Sequence, residues 1–135
     1  MAKAFLLEIV TPERKVFSRE VNSIVAPGAD GYFGVLPRHT PMLAGLGIGY
    51  LKVEVAGEIT YFALSGGFCE VLPSAVKILA ETAETASEID VARAKQSLER
   101  AQHRIHEGRQ HWELDRAQVS LARAANRLRV AEMSR

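Results

Sequence analysis

The sequence predicts a β-then-α protein, with an N-terminal antiparallel β-sandwich over residues 1–86 and a C-terminal antiparallel two-helix hairpin over residues 87–135. Three observations predict it. Up to Ala80, short β-branched and aromatic runs alternate with Gly, Pro, Asp and Ser at intervals of about ten residues, the signature of a sandwich or barrel. From Glu81 onward alanine, glutamate and arginine take over and no proline occurs. The charge also reverses. Residues 1–87 carry seven Lys/Arg against nine Asp/Glu and residues 88–135 ten against seven, so a net charge of +1 conceals an acidic part and a basic one.

The strands follow in order. Lys3 to Val10 reads as the first, and Thr11-Pro12-Glu13 as a turn. Val16-Phe17 is a short extended piece, and Val21 to Ala26 alternates as another strand. Pro27-Gly28-Ala29-Asp30-Gly31 is a turn cluster. In Gly34-Val35-Leu36-Pro37-Arg38-His39-Thr40-Pro41 the two prolines exclude a helix and predict an edge strand entering a loop. Gly45-Leu46-Gly47-Ile48-Gly49 reads as a turn, since no helix follows it to present an anion-binding N-terminus. Between Gly49 and Leu64, Val53 and Val55 alternate with Lys52 and Glu54, Ala56-Gly57-Glu58 turns, and Ile59 to Leu64 returns: a hairpin with one wet face. Ser65-Gly66-Gly67 interrupts that strand, Phe68 to Leu72 resumes it, and Ala75 to Ala80 completes a meander. A region of about 85 residues is sufficient for its own core.

Ser87 is the expected N-cap of the first helix, with Glu88 and Asp90 in its first turn where acids favour the dipole. Ile89, Ala92, Ala101 and Ile105, with Leu98 beside them, mark a weak apolar face, and Gly108 is the expected C-cap. Trp112, Val119, Ala122, Ala125 and Val130 mark the second helix, and the short connection makes the two antiparallel. Alanine forms helix well but buries little area, so modest forces hold the hairpin.

Catalytic and metal-binding patterns are missing from the sequence. It lacks Gly-x-x-x-x-Gly-Lys-Ser/Thr, Gly-x-Ser-x-Gly, His-Glu-x-x-His and paired cysteines. The single Cys69 lies in an apolar run and reads as an inert buried thiol, in keeping with a reducing compartment. His103, His106 and His111 read as solvated, and His39 as an ordered loop residue. No apolar stretch approaches the roughly 20 residues of a membrane span, and the N-terminus has no signal-peptide pattern.

What stands out is a spacing. Arg93, Arg100 and Arg104 on the first helix are separated by seven and four residues, and Arg116, Arg123 and Arg127 on the second repeat it. Offsets of seven and eleven return within about 20° of the starting direction, so each helix carries one narrow arginine stripe. Such like charges at i, i+4 cost an isolated helix about 0.2–0.5 kcal/mol. They are solvated or meet an anion, and Asp90 and Glu84 lie near enough in sequence to orient an arginine or accept from a base or ribose. Arginine's planar fork suits phosphate. A phosphate ligand, an acidic protein and nucleic acid all remain open on this pattern. The acidic sandwich and the lack of interleaved aromatics weigh against nucleic acid, and the missing nucleophile–base pattern weighs against a small β-sandwich enzyme.

Four segments resemble the epsilon subunit of bacterial F-type ATP synthases (delta in mitochondria). They are Gly34 to Pro41, Ser65-Gly66-Gly67-Phe68-Cys69-Glu70-Val71, Ile89-Asp90-Val91-Ala92-Arg93-Ala94, and Asn126-Arg127-Leu128-Arg129-Val130-Ala131-Glu132-Met133. The resemblance implies a non-catalytic regulatory subunit, peripheral to the cytoplasmic face of the bacterial membrane, with no catalytic cofactor. Its sandwich would bind the gamma subunit and sit on the c-ring. Its mobile hairpin would permit ATP hydrolysis when folded and inhibit it when extended into the alpha/beta catalytic hexamer. Some members bind ATP as a regulatory ligand in the folded hairpin. By position that site would comprise Glu84, Ile89, Asp90, Arg93, Ala94, Arg100, Arg123 and Arg127. One departure stands out: Tyr32 occupies the position where many members carry a glutamate facing the c-ring.

Overall fold

The structure, a computed structural model, describes residues 3–107 and 111–133, with the side chains of residues 111–113 set aside. Eight strands come first: β1 (Phe5–Val10), β2 (Lys15–Val21), β3 (Ser23–Gly28), β4 (Gly31–Val35), β5 (Met42–Val55), β6 (Glu58–Val71), β7 (Ala75–Ala80) and β8 (Ala83–Thr85). A 3-10 turn (Ala86–Glu88) leads to α1 (Val91–Glu107) and α2 (His111–Met133). The strands hydrogen-bond in the order β2-β1-β7-β6-β5-β3-β4, and β8 joins β6. All these pairings are antiparallel except β1 with β7.

The sheet closes over large apolar side chains because its strands alternate. Leu7 and Ile9 of β1, Leu51 and Val53 of β5, Phe62 and Leu64 of β6, and Ile78 of β7 are all sealed from water. Phe17 meets Phe62 edge to face at 5.6 Å. Cys69 is buried here too, and burial pushes its thiol up to about 11, so it stays protonated and inert. No described helix is long and apolar enough to cross a membrane.

Several expectations shift. The Val21–Ala26 strand divides at Asn22 into β2 and β3, and Asn22 Oδ1 accepts the Ala56 N–H at 2.7 Å. Gly45 to Gly49, expected as a turn, lies inside β5. There the β3–β5 register slips, Val25 facing Lys52 but Gly28 facing Leu46. Glycine at 49 is required by close approach: a Cβ would lie 2.5 Å from the Tyr32 hydroxyl and 2.6 Å from Pro27 Cβ. Likewise Ser65-Gly66-Gly67 does not end β6. It marks where β6 changes partner, from β8 at residues 62–64 to β7 at residues 67–71. The switch uses positive φ at Gly66 (72°) and Gly67 (124°), where a Cβ on Gly67 would sit 2.0 Å from the Leu79 carbonyl oxygen. The strand β8 went unforeseen because three residues are too few to show a period.

The first helix begins later than expected. Asp90, not Ser87, is the N-cap of α1: its Oδ1 accepts the Arg93 N–H at 3.0 Å, and its carbonyl accepts that of Ala94. Glu88 instead stabilises the turn before it, reaching back to the Thr85 N–H at 3.0 Å. Gly108, the expected C-cap, falls outside the described residues, as does the side chain of Trp112.

The buried faces of the helices also differ from the expected ones. Ile89, Ala101 and Val130 are buried as expected, but Ala92, Val119, Ala122 and Ala125 are exposed, and Ala94, Ala117 and Ala124 are buried in their place. Alanine occurs all round α2, so its sequence has too little apolar contrast to set the phase. The buried alanines are seven apart on each helix, forming a seam where α1 lies on α2. On α2, Asn126 follows Ala124 by about 200°, so it faces the opposite side together with Val130. That side packs on β5 and β6, and α2 is therefore inserted between α1 and the sheet.

Candidate functional site

Among the described residues, the docking face of α2 combines an apolar contact with polar ones. Val130 packs with Ala63 and Ile89, bordered by Tyr50 and Tyr61. Asn126, itself buried, donates through Nδ2 to the Gly49 carbonyl at 2.8 Å and the Leu64 carbonyl at 3.3 Å. Arg123 donates from Nε to Ser65 Oγ at 2.9 Å, and its terminal Nη2 lies 3.4 Å from Glu81 Oε2. Arg127 donates from Nε to Glu84 Oε1 at 2.6 Å.

The glycine switch in β6 makes these contacts possible. It turns the chain so that Ser65 donates its N–H to Thr82 and Glu81 donates its own to Gly66. The Ser65 hydroxyl and the carboxylates of Glu81 and Glu84 consequently meet α2. Part of the anion sought by the second arginine stripe is thus supplied by the chain itself. Arg127 and Glu84 are each about one-third exposed, whereas Glu81 is 64% exposed. Shielding makes the first pair the firmer one, since exposed pairs contribute only about 0–1 kcal/mol.

Around these pairs there is almost no enclosed room. The space among Ser65, Glu84, Arg123, Asn126 and Arg127 is about 10 Å³, no more than one water needs. Two open grooves of about 320 Å³ flank it. Arg127 borders one together with Arg14, Glu81 and Glu88, and Arg116 and Arg123 border the other.

The eight residues placed by resemblance divide into groups. Glu84 and Arg127 form an ion pair, and Arg123 lies one helical turn from Arg127. Ile89 and Ala94 are buried, the first under α2 and the second in the alanine seam. Asp90 is spent on the helix cap and orients the Arg93 backbone rather than a guanidinium. Arg93 and Arg100 are exposed, and among the described residues the Arg100 guanidinium reaches only Ser97, at 3.3 Å. In each helix the stripe precedes the alanine seam by one residue, Arg93 before Ala94 and Arg116 before Ala117. Equal angular offsets put both stripes on the same margin of an antiparallel pair.

Sequence reasoning missed Ser65, Glu81 and Asn126. The single asparagine of α2 was the available signal, because asparagine is a poor interior helix former unless its amide has a partner. A second link enters from the β3–β4 hairpin. Tyr32 stacks on Tyr50 at 4.5 Å, its hydroxyl accepts the Tyr50 N–H at 3.2 Å, and Tyr50 meets Tyr61 edge to face. An exposed pair, Arg14–Glu88 at 2.8 Å, joins the β1–β2 loop to the turn before α1. The Thr85 N–H, assisted by the Thr85 hydroxyl and Arg14 against some opposing burial, holds the Glu88 carboxyl below its ordinary value.

Residues 4–86 match the ATP synthase delta/epsilon chain beta-sandwich domain, and residues 87–132 match the long alpha-helix domain of the same chain. The ATP synthase epsilon chain of Syntrophobacter fumaroxidans is 51% identical over 132 residues, 98% of each chain. That of Desulforamulus reducens is 46% identical over 132 residues, covering 98% of this chain and all of the relative. The fold is shared with a chain in the structure of the Euglena gracilis mitochondrial ATP synthase OSCP/F1/c-ring. The TM-score is 0.82 at 23% identity, over 91% of this chain and 78% of that one.

Proposed function

The chain belongs to the family of ATP synthase delta/epsilon chains, non-catalytic stalk subunits, and on that premise we propose that it regulates ATP hydrolysis through its hairpin. The sandwich joins the gamma subunit to the c-ring, which makes the protein peripheral to the cytoplasmic face of the membrane. The hairpin, when extended along gamma, inhibits the alpha/beta hexamer. ATP is a sensed ligand that favours the folded hairpin by binding it more tightly than the extended one.

The observation carrying this reading is the convergence of Glu84, Arg123 and Arg127 on the seam between α2 and β8, with both arginine stripes on one margin. A phosphate chain lying along that margin reaches arginines of α2 and α1 at once, and it can do so only while the hairpin is folded. The interface it reinforces is otherwise thin: buried alanines, Ile89, Val130 and one asparagine. ATP titrated into the whole chain, with and without magnesium, is expected to bind. Arg127→Ala should weaken it by tenfold or more, the scale of losing a charge-assisted phosphate contact of about 1.5–3 kcal/mol. Binding that is unchanged in Arg127→Ala and Arg123→Ala would remove the assigned site. Deleting residues 88–135 should raise ATP hydrolysis by the assembled enzyme, and no rise would count against inhibition by the hairpin.

A further inference from the structure

The two carboxylates that meet the α2 stripe are not equivalent, and from their geometry we infer opposite roles for them: Glu84 positions Arg127 for a nucleotide phosphate, whereas Glu81 competes with that phosphate for Arg123. The inference rests on the nucleotide reading above and assigns a regulatory anion, Glu81, within the same site.

Glu84 takes the Nε edge of Arg127, at 2.6 Å and largely shielded. The terminal nitrogens of Arg127 have no hydrogen-bond partner among the described residues, so the guanidinium is held along one edge with its fork available. Ser65 does the same for Arg123, again at Nε, 2.9 Å away. A side chain gripped at Nε has lost most of its rotamer freedom before the ligand arrives, and binding then costs less. Glu81 differs on each count. It occupies a terminal nitrogen of Arg123, one that phosphate would use, at a longer 3.4 Å. It is the more exposed partner, and its carboxylate rests over Gly66, where an added Cβ would lie 3.3 Å from Glu81 Cδ.

The long exposed pair is the one a polyanion can displace, while the short shielded pair survives. Once displaced, Glu81 remains beside the phosphate and repels it. Without nucleotide the same carboxylate neutralises Arg123 and helps keep α2 on the sheet. The free hairpin is therefore docked by an internal anion, which nucleotide must replace before it can strengthen the docking.

The test measures ATP affinity calorimetrically, and α2 amide exchange without ligand, on the full chain and its variants. Glu81→Gln should bind ATP about three- to tenfold more tightly, a gain that shrinks with salt and vanishes in an Arg123→Ala background. The same variant should lose some α2 exchange protection when nucleotide is absent. Glu84→Gln should bind ATP more weakly, and non-additively with Arg127→Ala, which a merely structural role would not produce. Equal or weaker ATP binding by Glu81→Gln, with wild type and Arg127→Ala behaving as expected, would overturn this inference and leave the nucleotide reading standing. Absence of ATP binding by the wild-type chain would remove both.

Discussion

The sandwich and the hairpin are held by different physics. In the sandwich, Phe62, Leu7, Ile9, Ile24, Leu51, Leu64 and Ile78 are almost wholly sealed. Each such side chain contributes about 1.5–3 kcal/mol by burial. Among the described hairpin residues the buried apolar side chains are Ile89, Val130 and the alanines Ala94, Ala101, Ala117 and Ala124, which together bring little area. Directional contacts take over: Asn126 on two carbonyls, Arg123 on Ser65, and Arg127 on Glu84. The difference teaches that α2 is placed specifically without being attached strongly. Polar contacts to the sheet select one orientation, but water can replace most of their energy on separation. A large apolar interface would have no such substitute.

Substitutions can break or sharpen that contrast. The largest effect is expected in the sandwich. Phe62→Ala should cost about 3–5 kcal/mol and lower the unfolding midpoint of the whole chain, because β6 carries both β8 and the docking surface of α2. A loss confined to hairpin signals would show that the two regions do not share this core.

Asn126→Ala comes next. It leaves the Gly49 and Leu64 carbonyls without their side-chain donor and should weaken α2 docking by about 1–3 kcal/mol. Amide exchange should rise through α2 while Leu7, Ile9 and Ile78 stay protected. Uniform loss across both regions would mean that asparagine supports the sandwich as well as the hairpin.

The smallest effect concerns Glu88. Because its folded-state pKa is lowered, its contribution is present above the unfolded carboxylate value near about 4.3 and is lost as pH falls through the folded value. Acidification below about pH 4.5 should therefore loosen the turn before α1 in wild type. Glu88→Gln should lack this component at neutral pH already and show a flatter acid profile by amide exchange at Thr85 and Ile89. Identical profiles would assign the acid response to other carboxylates.

Legibility in the sequence varied with the length of the periodic segment. The β5–β6 hairpin around Ala56-Gly57 was readable because period-two alternation flanks two residues that adopt positive φ, 52° and 85°. Gly45 to Gly49 misled because glycine signals a turn and a close approach equally well, and only the positions of Tyr32 and Pro27 decide between them. The α1 N-cap shifted from Ser87 to Asp90 because residues 86–88 form a 3-10 turn closed by Glu88 on the Thr85 N–H, and the α-helix starts only beyond it.

By itself the sequence determined the β-then-α order, the helical hairpin, and the spacing that puts each set of arginines in one stripe, since all three follow from periods within short segments. Only the tertiary structure decided which way α2 turns about its own axis and what its arginines meet. Ser65 and Arg123 are 58 residues apart, Glu81 and Arg123 42, and Glu84 and Arg127 43. A helical period gives the angle between two side chains of one helix. The direction of the stripe is chosen by the surface on which the helix lands, and here that surface depends on a glycine switch in β6.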